Sequence, residues 1–393
     1  MIIISEIRSL LFRQSLNTLV FIPFLLFSCT GKRTLTDESV KLIDKPIISY
    51  AKRLKIKHME GYLQLSIIDP WQGASNVVQK WYLIPRGGVP PSFIDTLQVI
   101  EVPVKKIICM STTHLAMISA LNETRSVAGF SGTRFLFSDD LLQNVGKGNI
   151  REVGYEDNLN KELILELDPD LVMVYGIDSE SAAYIGKLKE LGIKILYNAD
   201  YLETDPLGKA EWIKLMGALY TKEHMADSIF RTIEEEYNRV KLFVREHARE
   251  RPKVLLGLPF KDTWFISPGN SYVSRLIEDA GGDYIWHGTK SAVSMPMGLE
   301  NVYIKALSAD YWLNTGTADT KGEILSIDSR LAGLPCVGNG NLFNNNKRTN
   351  INGGNDYWEG GSLNPQIILN DIASVLHPGL FPGWELYYYK KIN

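Results

Sequence analysis

The sequence predicts an α/β protein of two lobes, each built on a parallel sheet, joined by one long helix. Three observations carry this reading. From about residue 100, apolar strand segments alternate with amphipathic helical ones, the pattern of a parallel sheet covered on both faces. One uninterrupted helical stripe then begins after Thr221 and stops before Pro252. Behind it the strand–helix alternation starts again. The chain's 393 residues suit two domains. Its 45% apolar content supports real cores, and its net charge of −3 offers no field for a nucleic-acid backbone. Three cysteines are too few for a disulfide scaffold or a four-thiolate zinc site.

Residues 1–28 read as an address to be removed. Arg8 and Arg13 precede an apolar run, Leu19 to Phe27, shorter than the ~20 residues a spanning helix needs and interrupted by Pro23. The run ends in Leu26-Phe27-Ser28-Cys29, which resembles a bacterial lipobox. That resemblance implies a lipidated Cys29 as the first mature residue, with 29–45 as a polar tether. Cys109 lies in an apolar strand pattern and Cys336 follows Leu334-Pro335; they read as two separate buried thiols.

Residues 46–220 make the first lobe. Within it, 54–85 alternate as strands, with Leu63, Leu65 and Ile67 on one face and turns at Glu60-Gly61 and Asp69–Gly73. This predicts an antiparallel β-ribbon added to the lobe. Val104–Met110 is a predicted strand, followed by a helix from Thr112 capped by Ser111 or Thr112. Further strands are expected up to Phe130 and over Asp170–Tyr175 and Lys194–Tyr197, with helices over Leu163–Leu167, Ala182–Leu191 and Leu207–Tyr220.

The interlobe helix is placed at 221–250. Met225, Ala226, Ile229, Phe230, Ile233, Tyr237, Val240 and Val244 recur at spacings of three and four. A ~30-residue helix spans ~45 Å, enough to bridge two lobes. The second lobe, 251–393, resumes with strands at Val254–Leu258 and Tyr311–Asn314 and helices at Ser274–Ala280, Glu300–Leu307 and Pro365–Leu376. The Gly- and Asn-rich stretch 338–361 is too long for a casual connection and suggests a functional loop.

The chain resembles the ABC-transporter solute-binding proteins that carry cobalamin, ferric siderophores and haem. The resemblance rests on Lys106–His114, Val127–Ser131, Val153-Gly154 with Asn160-Lys161-Glu162 and Leu167–Val172, Gly281-Gly282, Leu307–Asn314 and His377–Phe381. It covers about residues 100–382 and implies a class III periplasmic binding protein of two Rossmann-like lobes. It implies no catalytic residue, no metal site and no cofactor of the protein's own. The expected ligand is an iron chelate (siderophore or haem) or cobalamin, and the expected partner an ABC permease in the inner membrane. The protein is then a monomer in the periplasm, tied to a membrane through its lipid.

Glu162, in a helix first turn after Asn160, matches the family's lobe-tip glutamate that meets a permease arginine; by residue chemistry alone it would only complement the helix dipole. Glu300 is the second-lobe counterpart, although it precedes Asp310 by ten positions where Glu162 precedes Asp170 by eight. The ligand is expected in the cleft at the strand C-termini. Thr113, His114, Arg134, Tyr155, Trp264, Trp286, Tyr357 and Trp358 are the candidates to meet it, with Trp264, Trp358 and Arg134 favoured as loop residues with polar neighbours. Tyr175 and Phe135 are assigned to the core. His114 has two readings, as an iron ligand or as a hydrogen-bonding residue at the helix start.

The rival classes are a secreted lipoprotein hydrolase and an envelope structural or adhesion protein. Gly129-Phe130-Ser131-Gly132 lacks the glycine spacing of a nucleophile elbow, and the six histidines show no paired metal-ligand spacing.

Overall fold

The computed structural model describes residues 47–155, 158–176 and 179–393, with backbone alone over 179–184. The predicted leader, the tether and Cys29 lie outside the described residues. Residues 46–393 form one compact unit.

The predicted ribbon is present. Strands β1 (Leu54–Met59), β2 (Tyr62–Ile68) and β3 (Val78–Pro85) pair antiparallel, and a fourth strand that the alternation did not signal, β4 (Val99–Val102), joins β3 in parallel. Leu65 and Ile67 are buried, as the period-two pattern requires.

The first-lobe sheet comprises β5 (Ile107–Cys109), β6 (Val127–Phe130), β7 (Arg151–Glu152), β8 (Leu171–Val174) and β9 (Ile195–Tyr197). It is wholly parallel, in the order β7-β6-β5-β8-β9. The second lobe contains β10 (Lys253–Leu256), a small antiparallel sheet of β11 (Pro259–Phe260), β12 (Thr263–Ile266) and β14 (Met295–Gly298), and the strands β13 (Asp283–Tyr284), β15 (Tyr311–Leu313), β16 (Leu342–Asn344) and β17 (Lys390–Lys391). Its main sheet runs β13-β10-β15-β16-β17, parallel except for β17. In each lobe the first strand lies inside the sheet, β5 between β6 and β8 and β10 between β13 and β15. The reversal of strand order at β5/β8 and β10/β15 opens a crevice at the strand C-termini of both lobes.

The interlobe helix spans Glu223–His247 and buries Ala226, Phe230, Ile233, Tyr237, Val240 and Val244, the predicted stripe. Its 25 residues cover ~37 Å. It packs on the first-lobe helix Ile213–Leu219 and on the second-lobe helix Pro365–Leu376. Lys222 at its start pairs with Glu123 at 2.5 Å, and Tyr237 and Lys241 hold the second-lobe Asp279 at 2.8 and 3.0 Å. The helix expected over Leu207–Tyr220 is instead two, Pro206–Ala210 and Ile213–Leu219. The break sits at Glu211, whose buried carboxylate accepts from the backbone amides of Ser49, Tyr50 and Ala51 at 2.7–3.1 Å. Glu203, also buried, takes the amides of Lys52 and Arg53. The entry to the ribbon is thus pinned to the lobe. At its far edge the Gln79 side chain donates to Ile195 O at 2.8 Å and accepts from Tyr197 N at 3.2 Å, covering the exposed edge of β9.

The Gly- and Asn-rich stretch crosses between the lobes. The buried Glu359 carboxylate accepts from the first-lobe amides of Phe137 and Ser138 at 2.8 and 3.0 Å, and Asn350 donates to Leu136 O at 2.8 Å. Gly354 lies against Leu136 O so closely that no side chain fits there. Arg348, paired with Asp356 at 2.6 Å, covers the Phe137 ring at 5.1 Å. Cys109 and Cys336 are both free and buried.

Removing the Glu211 carboxylate leaves three amides without their acceptor and takes one partner from the Lys214 ammonium, which keeps Ile47 O and Asp227. Glu211→Ala should therefore lower stability by about 3 kcal/mol or more, measured by denaturant unfolding. Glu359→Ala should speed hydrogen exchange at Phe137 and Ser138 by about tenfold or more, the equivalent of ~1.4 kcal/mol, while amides of the β5–β9 sheet keep their rates.

Candidate functional site

The first-lobe side of the crevice is built from the loops that leave β5, β6, β7, β8 and β9. After β5, Ser111 caps the helix Thr112–Ala120, its hydroxyl accepting from Thr113 N at 3.3 Å. After β6 and β7 the organiser is Glu152. Its carboxylate accepts from the amides of Gly132, Thr133 and Gly154 and from the Thr133 hydroxyl, at 2.6–3.0 Å. Burial pushes this carboxyl up, but those donors outweigh it and hold it below the usual range. The two loops so fixed present Arg134, exposed, with its guanidinium 4.6 Å from the Phe135 ring and 5.8 Å from the Tyr155 ring. A cation stacked on two aromatic rings is a platform for a flat anionic ligand. Arg134 and Tyr155, two of the candidates, are therefore brought together. Phe135, assigned to the core by its sequence, is partly exposed because Arg134 and Tyr155 hold its ring at the loop surface.

Thr113 is half-buried, its hydroxyl beside Ser111 and facing the buried Asp200. Asp200 was not signalled by the sequence. Burial raises its carboxyl, and Lys209, Thr113 and the Tyr201 amide only partly oppose that. Its Oδ2 has no hydrogen-bond partner among the described residues. Lys209 also lies 5.3 Å from the ring of Tyr272, which comes from the second lobe.

Four candidates lie in packed interior rather than on an open wall. Trp264 sits in β12, not in a loop. It is fully buried and donates its indole N–H to Leu256 O at 2.9 Å, because the small sheet folds it back over the end of β10. Trp286 is buried against Tyr284, with Lys305 over its ring at 5.3 Å. Tyr357 is buried among Trp358, Tyr388 and Tyr389 at centroid distances of 4.8–5.9 Å. His114 is fully buried, and neither ring nitrogen has a partner among the described residues. It is thus not the hydrogen-bonding helix-start residue that one reading expected, and its immersion leaves no ring nitrogen open to the cleft. Burial pulls it down to about 3, so it stays neutral. Trp358 is 60% exposed, at the edge of the interlobe crossing. Tyr175, also assigned to the core, is half-buried just after β8.

Glu162 and Glu300 occupy equivalent places. Each is the second residue of its helix, Lys161–Leu167 and Leu299–Ala306, and each is exposed. Asn160 caps the first helix by accepting from Leu163 N at 2.9 Å. Each helix leads through an aspartate to a strand that flanks the first strand of its lobe, β8 beside β5 and β15 beside β10. Asp170 N donates to Lys106 O and Asp310 N to Lys253 O, both at 2.9 Å. Asp170 accepts in return from Lys105 N and Lys106 N, and Asp310 from Lys253 N at 2.8 Å. The two extra positions in the second lobe are one more helical residue and one more residue in the turn before Asp310. Glu300 also lies 3.5 Å from Arg330.

The profile of a family described as periplasmic binding protein matches residues 107–348. An uncharacterized lipoprotein of Methanocaldococcus jannaschii is 28% identical over 370 residues, covering 88% of this chain and 86% of its own. A second from the same organism is 25% identical over 382 residues, 92% of each chain. The fold is similar to that of a periplasmic heme binding protein from Pseudomonas aeruginosa, with TM-score 0.57 and 14% identity over 74% of this chain and 98% of that one. It is also similar to an ABC-type Fe3+-hydroxamate transport protein from Saccharomonospora viridis, with TM-score 0.51 and 17% identity over 70% of this chain and 94% of that one. With two switch-point lobes about one long helix, and with well over half of its length matched, this chain belongs to the periplasmic binding protein family, whose members are binding proteins rather than enzymes.

Proposed function

We propose that the protein captures a metal chelate, a ferric siderophore, haem or cobalamin, between its lobes and hands it to an ABC permease. The observation that carries this is the matched placement of Glu162 and Glu300, one exposed carboxylate at the same position of each lobe, beside a cleft whose first-lobe wall offers a cation and aromatic rings. Two such carboxylates suit guanidinium groups on a two-fold partner. Large chelates present flat apolar faces and anionic rims, which Arg134 with Phe135 and Tyr155 would meet. The heme and Fe3+-hydroxamate proteins of like fold agree with this ligand class. Lipidation at Cys29 would keep the protein at the outer face of a membrane, in line with the lipoprotein names of its relatives.

Titration of the full-length protein in detergent with haemin, a ferric hydroxamate and cyanocobalamin should give saturable binding of at least one. No binding of any of the three would remove the proposal. For an anionic chelate, Arg134→Ala should weaken binding by about tenfold, or ~1.4 kcal/mol. In cells carrying only the Glu162→Ala/Glu300→Ala protein, uptake should fall to background while ligand affinity stays within about twofold. Lost affinity would move these residues from docking to ligand binding.

A further inference from the structure

The β-ribbon lies before residue 107, where the family match begins, and its far turn reaches the crevice. The turn between β2 and β3, Asp69–Gly73, is rigid. Arg53 donates to Asp69 O at 2.6 Å, Asp69 N donates to Val77 O at 2.8 Å, and the Asp69 carboxylate accepts from Val77 N at 3.0 Å. The turn is seated on the residues that leave β8. Gln72 N donates to Gly176 O at 2.9 Å, and the Tyr201 hydroxyl donates to the same carbonyl. A Cβ at Gly176 would stand 2.7 Å from Trp71 Cβ, so only glycine admits the turn. The half-buried Trp71 ring lies 5.3 Å from Tyr197 at the end of β9, and Tyr175 meets Tyr201 edge-on at 6.1 Å. An element foreign to the lobe thus sets a tryptophan at the C-terminal ends of β8 and β9, on the ligand side of the switch point.

We propose that this ribbon turn is a wall of the ligand cleft and that Trp71 takes the flat apolar face of the bound chelate, setting which chelates fit. The inference rests on the chelate-binding reading above. A stiff ribbon fixed at both ends is suited to this, because an indole held in place before binding loses little freedom on meeting a planar ligand. Glu203 and Glu211 fix its entry, and Gln79 its long strand.

The test uses full-length protein in detergent with haemin, a ferric hydroxamate and cyanocobalamin as probes. Trp71→Ala should weaken binding of the chelate that the unsubstituted protein prefers by tenfold or more, and Trp71→Phe by less than threefold. In the unsubstituted protein, hydroxyl-radical labelling of the Trp71 indole should drop at least threefold when that chelate saturates. This readout holds even if Trp71→Ala fails to fold. Labelling of Trp71 that does not change, or a folded Trp71→Ala protein that binds within twofold of the original, overturns the assignment and leaves the chelate reading standing. Absence of binding by the unsubstituted protein to all three probes overturns both.

Discussion

Buried carboxylates that accept several backbone N–H groups hold this molecule in register. Glu211 and Glu203 take five amides of the segment entering the ribbon. Glu359 takes two across the lobes, and Asp371 takes the Tyr387, Tyr388 and Tyr389 amides with the Trp384 indole N–H near the C-terminus. Each of these segments is irregular backbone against a packed interior, with no neighbouring strand to satisfy its donors. A carboxylate satisfies several at once, and the amide dipoles supply the compensation that its buried charge requires. Burial pushes the Glu203, Glu359 and Asp371 carboxyls up, so each takes up a proton before an ordinary carboxylate does when the solution is acidified.

The same device shapes the cleft. Glu152 draws the β6 and β7 loops into one platform, and the carboxylates Asp170 and Asp310 tie β8 to β5 and β15 to β10. The lobes are joined by a stiff helix and again by the Glu359 crossing, two connections at separate places in the chain. On the chelate-binding reading proposed above, a cleft built this way is formed before the ligand arrives, and affinity comes from complementarity rather than from closure of one lobe on the other.

The loop position of Arg134 was legible because it follows a predicted strand in the strand–helix alternation; the two-residue strand before Tyr155 was too short to show. The place of Glu162 in the first turn of its helix was legible through its cap, Asn160. Trp264 was taken for a loop residue because of its polar neighbours in sequence, which say nothing of neighbours in space; Trp286 and Tyr357 are buried as well. The small β11-β12-β14 sheet, which buries Trp264, pairs strands of two to four residues across a gap of about thirty. Asp200 and Trp71 gave no local signal, since their environments come from residues distant in the chain.

By itself the sequence determined the local periodicities: the ribbon's alternation, the apolar parallel strands and the interlobe stripe. Side-chain period is a property of neighbouring residues, so it survives without tertiary context. Only the tertiary structure decided where the ribbon's turn lands, which aromatics face inward and how the 338–361 stretch joins the lobes. Those depend on long-range donors and acceptors, such as Glu359 with Phe137 and Ser138 and Gln72 with Gly176, and no local pattern encodes which distant amide a carboxylate or carbonyl will meet.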